Sequence, residues 1–445
     1  MLLTTPDTIR TLQRKLYAKA KQEPAYRFYA LYDKISRAEV LAHAWRLVRA
    51  NQGSPGVDGL SFEAIEGGIG IETFLRQLAQ DLKDKTYRAQ PVRRVMIPKA
   101  DGSLRPLGIP TIRDRVVQMA VKLIIEPIFE ADFCPNSYGF RPRKSAHDAV
   151  DDIANTLWAG YTQVIDADLS KYFDSIPHAK LMAVVAERIV DGSILHLINL
   201  WLKAPVIGED EKGVCRTVGG GKSNRKGTPQ GGVISPLVAN CSLHLLDRIW
   251  QRRHLKDKLQ AHLVRYADDF VVRCRRDVQE PLNVVRRVME RLGLSLNEAK
   301  THIVDATQAS FNFLGFSIRM SRGLRTGKPY PHGCPSAKSL RKIKTKLTEL
   351  TGRELTPMPV EKIVENVNRR LRGWVNYFHD RNSNQVRAKV KTHTEQRMRT
   401  HLMKRHKVKD RGIGEGRFPS VDLYRRYGLY KVPTAAGWRS AHTSA

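Results

Sequence analysis

The sequence of this 445-residue chain predicts an α+β fold, and three segments support that prediction. Residues 266–269 place two aspartates between apolar runs that are typical of short strands joined by a turn. Residues 91–110 contain two apolar runs around Asp101 and Gly102, a pair that favours a hairpin turn. Residues 338–411 repeat apolar side chains at helical spacing. We therefore expect antiparallel strands followed by a helical region.

The composition is strongly basic, with 76 Lys and Arg against 44 Asp and Glu and a formal net charge of +32. Such an excess of positive charge indicates a polyanionic partner. Nucleic acid is favoured over a membrane, because the basic residues are interleaved with aromatic ones and no long apolar segment or lipidation signal occurs. A chain of this length predicts roughly three domains.

The N-terminal residues and the cysteines indicate the cellular compartment of the protein. Residues 1–6 lack the basic-then-apolar order of a secretion signal, so a cytoplasmic location follows, with association to the nucleoid as an alternative. The cysteines are scattered without metal-binding spacing, at Cys134, Cys215, Cys241, Cys274 and Cys334. This pattern favours neither a disulfide framework nor a zinc module.

The N-terminal part is predicted to be helical. Apolar residues such as Leu12, Leu16 and Leu41 follow helical spacing over the first fifty residues, and the glycine- and proline-rich segment 51–59 ends this unit. A further helix is predicted over Asp114–Phe129, where one side is apolar.

Two cations flank the predicted hairpin turn, Lys99 before it and Arg105 after it. They either form a solvated edge that discourages aggregation or grip a triphosphate. A second loop, residues 227–234, is rich in glycine and leads into a helix with Ser235 as cap and Pro236 at its first position. A plain tight turn explains the glycines but not Gln230, whose amide can bind a base or sugar edge.

Three aspartates form a candidate metal site. Asp268 and Asp269 repel each other next to apolar strands, a cost that a bound divalent cation offsets; a solvated turn is the ordinary alternative. Asp168 follows another run typical of a strand and supplies a third carboxylate, as nucleotidyl transfer with two metal ions requires. Neighbouring Asp166 is expected to face away by strand alternation, and Asp174 to cap the segment near Pro177.

The C-terminal third is basic as well as helical. Residues 338–411 hold 21 Lys or Arg against seven Asp or Glu, a net charge of +14. Trp374, Tyr377 and Phe378 recur at helical spacing, which favours packing in the interior over stacking on bases. The exposed charges are therefore the better candidates for phosphate contacts.

Taken in order, the motifs resemble those of the reverse transcriptase/maturase proteins encoded by bacterial group II introns. The resemblance covers roughly residues 10–430 and rests on segments 51–59, 105–110, 137–142, 168–174, 227–232, 266–269, 313–316 and 371–374. It implies a right-hand polymerase, with fingers and a palm built on an antiparallel sheet, followed by an α-helical thumb or maturase region. The implied domains are 1–60, 61–320, 321–412 and a short tail, 413–445.

The resemblance also implies roles for individual residues. The catalytic residues are Asp168, Asp268 and Asp269, and the metal positions are these three together with Leu169, for Mg²⁺ with Mn²⁺ as an alternative. The substrate-binding residues are Lys99, Arg105, Gln230 and Phe173. Phe173 would be an aromatic gate that excludes a ribose 2′-OH; the alternative is that its ring only packs in the palm. The primer grip comprises Phe313, Leu314, Gly315 and Phe316. Lys300 matches a lysine that donates a proton to pyrophosphate.

The implied partners are intron RNA, an RNA template with a DNA primer, dNTPs and a DNA target, with a homodimer allowed and no membrane. Candidate RNA contacts are Lys404, Arg405, Lys407 and Lys409. Many relatives carry an endonuclease module with paired cysteines, whereas the last cysteine here is Cys334, so we expect no cleavage of the second target strand.

Two other functions remain open from the sequence. A domesticated reverse transcriptase in phage defence or DNA repair would use the same chemistry on a different RNA. A protein that only assists splicing would bind RNA without polymerising, although such a protein has no need of carboxylates that repel phosphate.

Overall fold

A computed structural model describes residues 4–98, 102, 104–209, 214–323 and 325–435. The described residues separate into two compact units. The first comprises the residues up to Ala149 and Ile165–His302, and the second comprises Val150–Val164 and the residues from Ile303 onward.

The described residues contain the helices α1 to α18. In the N-terminal half they are α1 (Asp7–Gln22), α2 (Tyr32–Ile35), α3 (Ala38–Ala50), α4 (Phe62–Gly67), α5 (Ile71–Lys83), α6 (Ile112–Asp132), α7 (Ala146–Trp158), α8 (Tyr172–Ser175) and α9 (His178–Ala186). The later ones are α10 (Gly192–Leu202), α11 (Ser235–Arg252), α12 (Leu255–Lys258), α13 (Gln279–Leu292), α14 (Ala337–Glu349), α15 (Val360–Tyr377), α16 (Asn384–Arg405), α17 (Arg411–Arg417) and α18 (Ser420–Arg425).

The strands of the described residues form three sheets. They are β1 (Val92–Pro98), β2 (Leu104–Ile109), β3 (Gln163–Ala167), β4 (Val206–Glu209), β5 (Cys215–Gly219), β6 (Ala261–Tyr266), β7 (Asp269–Cys274), β8 (His302–Asp305), β9 (Phe311–Phe313), β10 (Phe316–Arg322) and β11 (Pro329–Pro335). The strand orders are β2-β1-β4-β5, β6-β7-β3-β8 and β11-β10-β9. The α+β prediction is confirmed.

The two strands of the predicted hairpin and the helix after them are confirmed, whereas Asp101 of the predicted turn lies outside the described residues. β1 and β2 pair antiparallel, with Pro98 opposite Leu104. β4 joins β1 in parallel, so this sheet is mixed rather than purely antiparallel. Helix α6 begins two residues before the predicted start, because the Thr111 side chain accepts a hydrogen bond from the backbone N–H of Asp114 and caps it at that point.

Two local predictions were wrong. Ile234, not Ser235, is the N-cap of α11; the Ser235 hydroxyl instead donates to the Pro229 carbonyl (2.9 Å) and holds the preceding loop. Asp174 lies within α8 and does not cap the next helix, since Pro177 precedes α9 with no side-chain cap. At Ser235 a contact with the preceding loop replaced the local capping pattern.

The first unit has one large apolar core, in which the buried sides of α1, α3, α6 and α11 pack with strand residues such as Ile165, Leu263 and Phe270. The breaker-rich loop 51–59 is fastened to this unit: the Arg93 guanidinium donates to the Pro55 carbonyl (2.7 Å), and Arg115 donates to that of Ser54. The predicted N-terminal helices are present as α1–α3.

The second unit contains the sheet β11-β10-β9 and a separate core formed largely by α14, α15 and α16. Apolar residues at helical spacing, such as Ile343, Leu347, Ile363 and Leu371, fill it, which confirms the predicted basic helical region. In the described part of the chain, no helix is long and apolar enough to cross a membrane.

Candidate active site

The catalytic turn, residues 266–269, joins β6 to β7 as predicted. Tyr266 pairs with Asp269 across the hairpin, so Ala267 and Asp268 form the two-residue turn between them. Ala267 adopts φ +59°, a left-handed conformation that an alanine seldom takes. Asp268 therefore projects from a tight turn, and Asp269 is the first residue of β7.

Segment 136–140 supports the turn from beside. The Tyr138 amide donates to the Arg265 carbonyl (2.8 Å), and the Arg265 amide donates to the Asn136 carbonyl (2.9 Å). Gly139 lies directly against the turn, where a Cβ would come within 2.3 Å of the Ala267 nitrogen. Residues 137–142 were identified from the sequence only as a motif of the resemblance, and their supporting role was missed; a glycine in the middle of the motif was the available signal.

Asp168 immediately follows β3, at the end of the strand as predicted. Its carbonyl accepts from the Asn297 amide (2.8 Å), while Leu169 is buried and pairs with Leu296. The Lys300 ammonium lies 3.8 Å from an Asp168 carboxylate oxygen, and both side chains are largely exposed. This ion pair stabilises little in water, so Lys300 remains free to move toward a ligand.

The charges of the aspartates act on one another. Burial raises the pKa of Asp268; Arg105 opposes the shift and the charge of Asp168 adds to it. Burial likewise raises the pKa of Asp166 to about 6, with His302 opposing the shift and the charge of Asp168 adding to it. The charge of Asp168 therefore acts on Asp268, and a bound cation would lower the free-energy cost of keeping both carboxylates ionised. The prediction that Asp166 faces away was wrong, because residues two apart along an extended strand lie on the same face.

The donors suit a hard divalent cation, because carboxylate and carbonyl oxygens are its usual ligands. Among the described residues, however, no three His, Cys, Asp or Glu side chains are close enough together to hold an ion. The support for a metal at this site is therefore the chemistry of its donors and the mutual effect of their charges, rather than a preassembled cluster.

The structure brings two of the predicted substrate residues together. Arg105 Nε donates to Gln230 Oε1 (2.8 Å), and the Gly108 amide donates to the Gln230 carbonyl (2.6 Å). Gly231 has φ +112° and passes so close to β2 that a Cβ would lie 2.4 Å from the Gly108 oxygen. The glycine-rich loop thus lies against the hairpin and places an amide beside a cation. Lys99, the other predicted cation, lies outside the described residues.

Phe173 lies beside the same loop. Its carbonyl accepts from the Thr228 amide (2.7 Å), and its ring meets the Tyr172 ring edge-on at 5.4 Å between centroids. The ring is half-buried against the core of the first unit. Both predicted roles, gate and packing, are compatible with a ring that is partly covered and partly exposed.

The turn predicted to be the primer grip, residues 313–316, lies in the second unit between β9 and β10; we call it the primer-grip turn. Leu314 and Gly315 adopt φ +49° and +83°, while Phe313 and Phe316 point into the interior. The Tyr377 hydroxyl donates to the Leu314 carbonyl (2.9 Å).

Aromatic side chains at the end of α15 and at its C-cap, Phe378, also support that turn. The Phe378 ring lies 5.0 Å from the rings of both Phe316 and Trp374, and Tyr377 packs edge-on against Phe378. The predicted interior packing is confirmed for Phe378, which is buried. Trp374 and Tyr377 pack against it but are half-buried, so the absence of base stacking stays a prediction.

The four predicted RNA contacts divide into two kinds. Lys404, Lys407 and Lys409 are exposed. Arg405 is half-buried, and its guanidinium donates to the carbonyls of Thr356 (2.7 Å) and Met358 (2.8 Å). Arg405 therefore fastens the turn before α15, whereas the lysines are available to a phosphate.

Comparison with known proteins adds two family matches. Residues 97–318 match the reverse transcriptase (RNA-dependent DNA polymerase) family, and residues 340–415 match the group II intron maturase-specific domain. Protein YkfC of Escherichia coli is 36% identical over 351 residues, which cover 71% of this chain and 89% of that protein.

A second relative is the group II intron-encoded protein LtrA of Lactococcus lactis, 28% identical over 68% of this chain. The chain spans 59% of the length of LtrA. Among solved structures, a partial Cas6-RT-Cas1–Cas2 complex has a TM-score of 0.34 and 20% identity, covering 59% of this chain and 41% of that one. That likeness is too distant to add to the argument.

Proposed function

This chain belongs to the reverse transcriptase family of group II intron proteins, and from that premise we propose that it copies RNA into DNA at the catalytic turn and binds intron RNA through its helical second unit. The matched families are the RNA-dependent DNA polymerases and the group II intron maturase-specific domain. The maturase-specific domain would bind intron RNA and assist its splicing. The observation that carries the polymerase proposal is the position of the aspartates on neighbouring strands of one sheet: Asp168 follows β3, and Asp268 lies in the turn that precedes β7.

Reverse transcriptases use divalent metal ions. In this chain Asp168, Asp268 and Asp269, with the Leu169 carbonyl, would hold Mg²⁺ or Mn²⁺, which when bound supplies Lewis-acid stabilisation of charge on the reacting oxygens. Arg105 would bind the triphosphate as a cation, and Lys99 is proposed as its companion.

The remaining pocket residues are assigned by their positions in the same loop system. Gln230, oriented by its contact with Arg105, would bind the sugar or base of the incoming nucleotide. Phe173 would exclude a ribose 2′-OH by its bulk. Lys300, whose ammonium lies next to Asp168, would hold a proton for the departing pyrophosphate.

The second unit is proposed to bind nucleic acid. Lys404, Lys407 and Lys409 would contact intron RNA phosphates, and residues 313–316 would hold the primer. We further propose domains at 1–60, 61–320, 321–412 and 413–445, a DNA target for insertion, action in the cytoplasm and an optional homodimer.

The proposal is tested by primer extension on poly(rA)/oligo(dT) with Mg²⁺, together with binding and assisted splicing of a group II intron RNA. Extension that depends on dTTP and a divalent ion is expected. A pure, folded chain that extends no primer would overturn the polymerase proposal, whereas normal extension without RNA binding would leave a domesticated enzyme in its place.

A further inference from the structure

We propose that Arg265, held by Asp247, is a positioning residue that fixes the backbone of the catalytic turn. The inference rests on the proposed polymerase function. It concerns a charged pair that lies behind the turn.

The pair is completely buried. Arg265 is on β6 and Asp247 on α11, and the side chain of each is 0% exposed. Arg265 Nε lies 3.0 and 3.2 Å from the two carboxylate oxygens of Asp247. Burying two charges costs desolvation that their attraction often fails to recover, and apolar residues of similar size frequently serve stability as well. A role other than stability therefore explains the pair better.

The hydrogen bonds of the remaining guanidinium nitrogen indicate a role in positioning the turn. Arg265 Nη1 donates to the Ala267 carbonyl (2.9 Å) and to the Asn240 Oδ1 (2.9 Å). The planar fork of an arginine can span a carboxylate on one side and a turn carbonyl on the other, and Asp247 determines the plane of that fork. Arg265 thus connects helix α11 to the turn residue that precedes Asp268.

The other side of the turn is fastened by the same network. Asn240 donates through Nδ2 to the Gly139 carbonyl (2.7 Å), and Gly139 lies against the Ala267 nitrogen. Asn136 donates to Asp247 as well (3.1 Å). The left-handed Ala267 is therefore hydrogen-bonded at its carbonyl and packed against Gly139 at its nitrogen, which stabilises a disfavoured backbone conformation.

This arrangement determines where the next carboxylate points. Asp268 follows Ala267 directly, so a rotation of that peptide would swing the carboxylate away from Asp168 and Arg105. Misplacing a reacting group by roughly 1 Å can cost about 100-fold in rate. The network would thus affect the chemical step without contacting any substrate.

The test replaces the pair by apolar residues of similar size, Arg265→Met with Asp247→Leu, in the full chain. This variant keeps the volume and removes both charges and the tether to Ala267. We expect a lower Tm, because the Ala267 carbonyl and the Asn240 and Asn136 side chains lose their partners in the pair. We expect kcat on poly(rA)/oligo(dT) to fall about 100-fold in the folded variant, with unchanged KM for dTTP and unchanged primer–template affinity.

A second variant, Arg265→Lys, keeps the positive charge beside Asp247 but offers a point donor in place of a fork. We expect a folded protein with kcat lowered about tenfold. This variant decides the question by the same kinetic criterion if the double variant does not fold.

The matched control is Asp191→Asn, which neutralises another buried carboxylate of the first unit. Asp191 accepts from the amides of Leu31 and Tyr32 (both 2.8 Å), so its loss should lower the Tm and leave kcat unchanged. The inference is overturned if a folded pair or lysine variant keeps the parent kcat, or if the control lowers kcat as much as they do. A parent chain that makes no DNA would instead refute the proposed function.

Discussion

The catalytic turn and the primer-grip turn are both tight turns between strands, and both contain left-handed residues. Different kinds of interaction support them. The catalytic turn rests on a buried ion pair and amide side chains, with Arg265 bonded to its backbone. The primer-grip turn rests on aromatic rings and on hydroxyls, from Tyr377 to Leu314 and from Ser339 to Gly315.

We relate this difference to the proposed role of each turn. A turn that carries a carboxylate must fix the direction of a charge, and directional charge-assisted hydrogen bonds do so. A turn that is proposed only to hold a primer needs a firm shape, which packed rings supply. We therefore expect changes near the catalytic turn to alter kcat and changes in the second unit to alter nucleic-acid binding.

The largest effect is expected from Asp268→Asn or Asp168→Asn, since each removes a carboxylate charge from the proposed metal site. Primer extension should fall by at least about 100-fold, while RNA binding persists. Asp174→Asn, an exposed aspartate of the same segment as Asp168, is the control and should match the parent. Activity within about tenfold of the parent would exclude these ligands.

Gly139→Ala should lower kcat by about 100-fold, because the new Cβ would push into the Ala267 nitrogen and displace the turn. Steady-state kinetics together with a melting curve measure the effect. Gly192→Ala, which adds a methyl group to open space, is the matched control. A folded Gly139→Ala enzyme with the parent kcat would mean that the turn tolerates displacement.

Phe173→Val should raise ribonucleotide incorporation relative to dNTPs by about tenfold if the ring is a gate. If the ring only packs, the Tm should fall while the ratio is unchanged. The ratio of kcat/KM for dNTP and rNTP decides between them. This variant also checks that selectivity belongs to the first unit.

Replacing Lys404, Lys407 and Lys409 by Gln should weaken intron RNA binding by about tenfold, and the slope of log affinity against log salt should fall by about 2 to 3. Extension of a short, saturating primer–template should continue. Arg405→Gln is the contrast, since its loss of backbone contacts should lower the Tm. Parent-like RNA affinity and salt slope in the triple variant would show that these lysines are only solvated.

The smallest effect is expected from Tyr377→Phe, which removes the hydrogen bond to the Leu314 carbonyl at a cost of about 1 kcal/mol. The KM for primer–template should rise about fivefold at unchanged kcat. An altered kcat with unchanged KM would place this turn with the chemistry and remove the distinction between the two turns.

Much of the site could be predicted from local chemistry. Paired aspartates between apolar runs indicated a turn joining strands, and the turn is present between β6 and β7. Gln230 and Arg105 were predicted as substrate residues, but their mutual contact joins residues far apart in the sequence and could not be read from it. The capping predictions for Ser235 and Asp174 failed because a local pattern carries no information about the contacts that compete with it.

The sequence by itself determined the α+β class, the basic helical region and the aspartates, because apolar period and charge are properties of local segments. Only the tertiary structure decided that Arg405 fastens a turn while its lysine neighbours stay exposed. It alone revealed that Arg265, Asp247 and Asn240 meet behind the catalytic turn. The physical reason is that burial and hydrogen-bond partners depend on which distant segments the fold brings together.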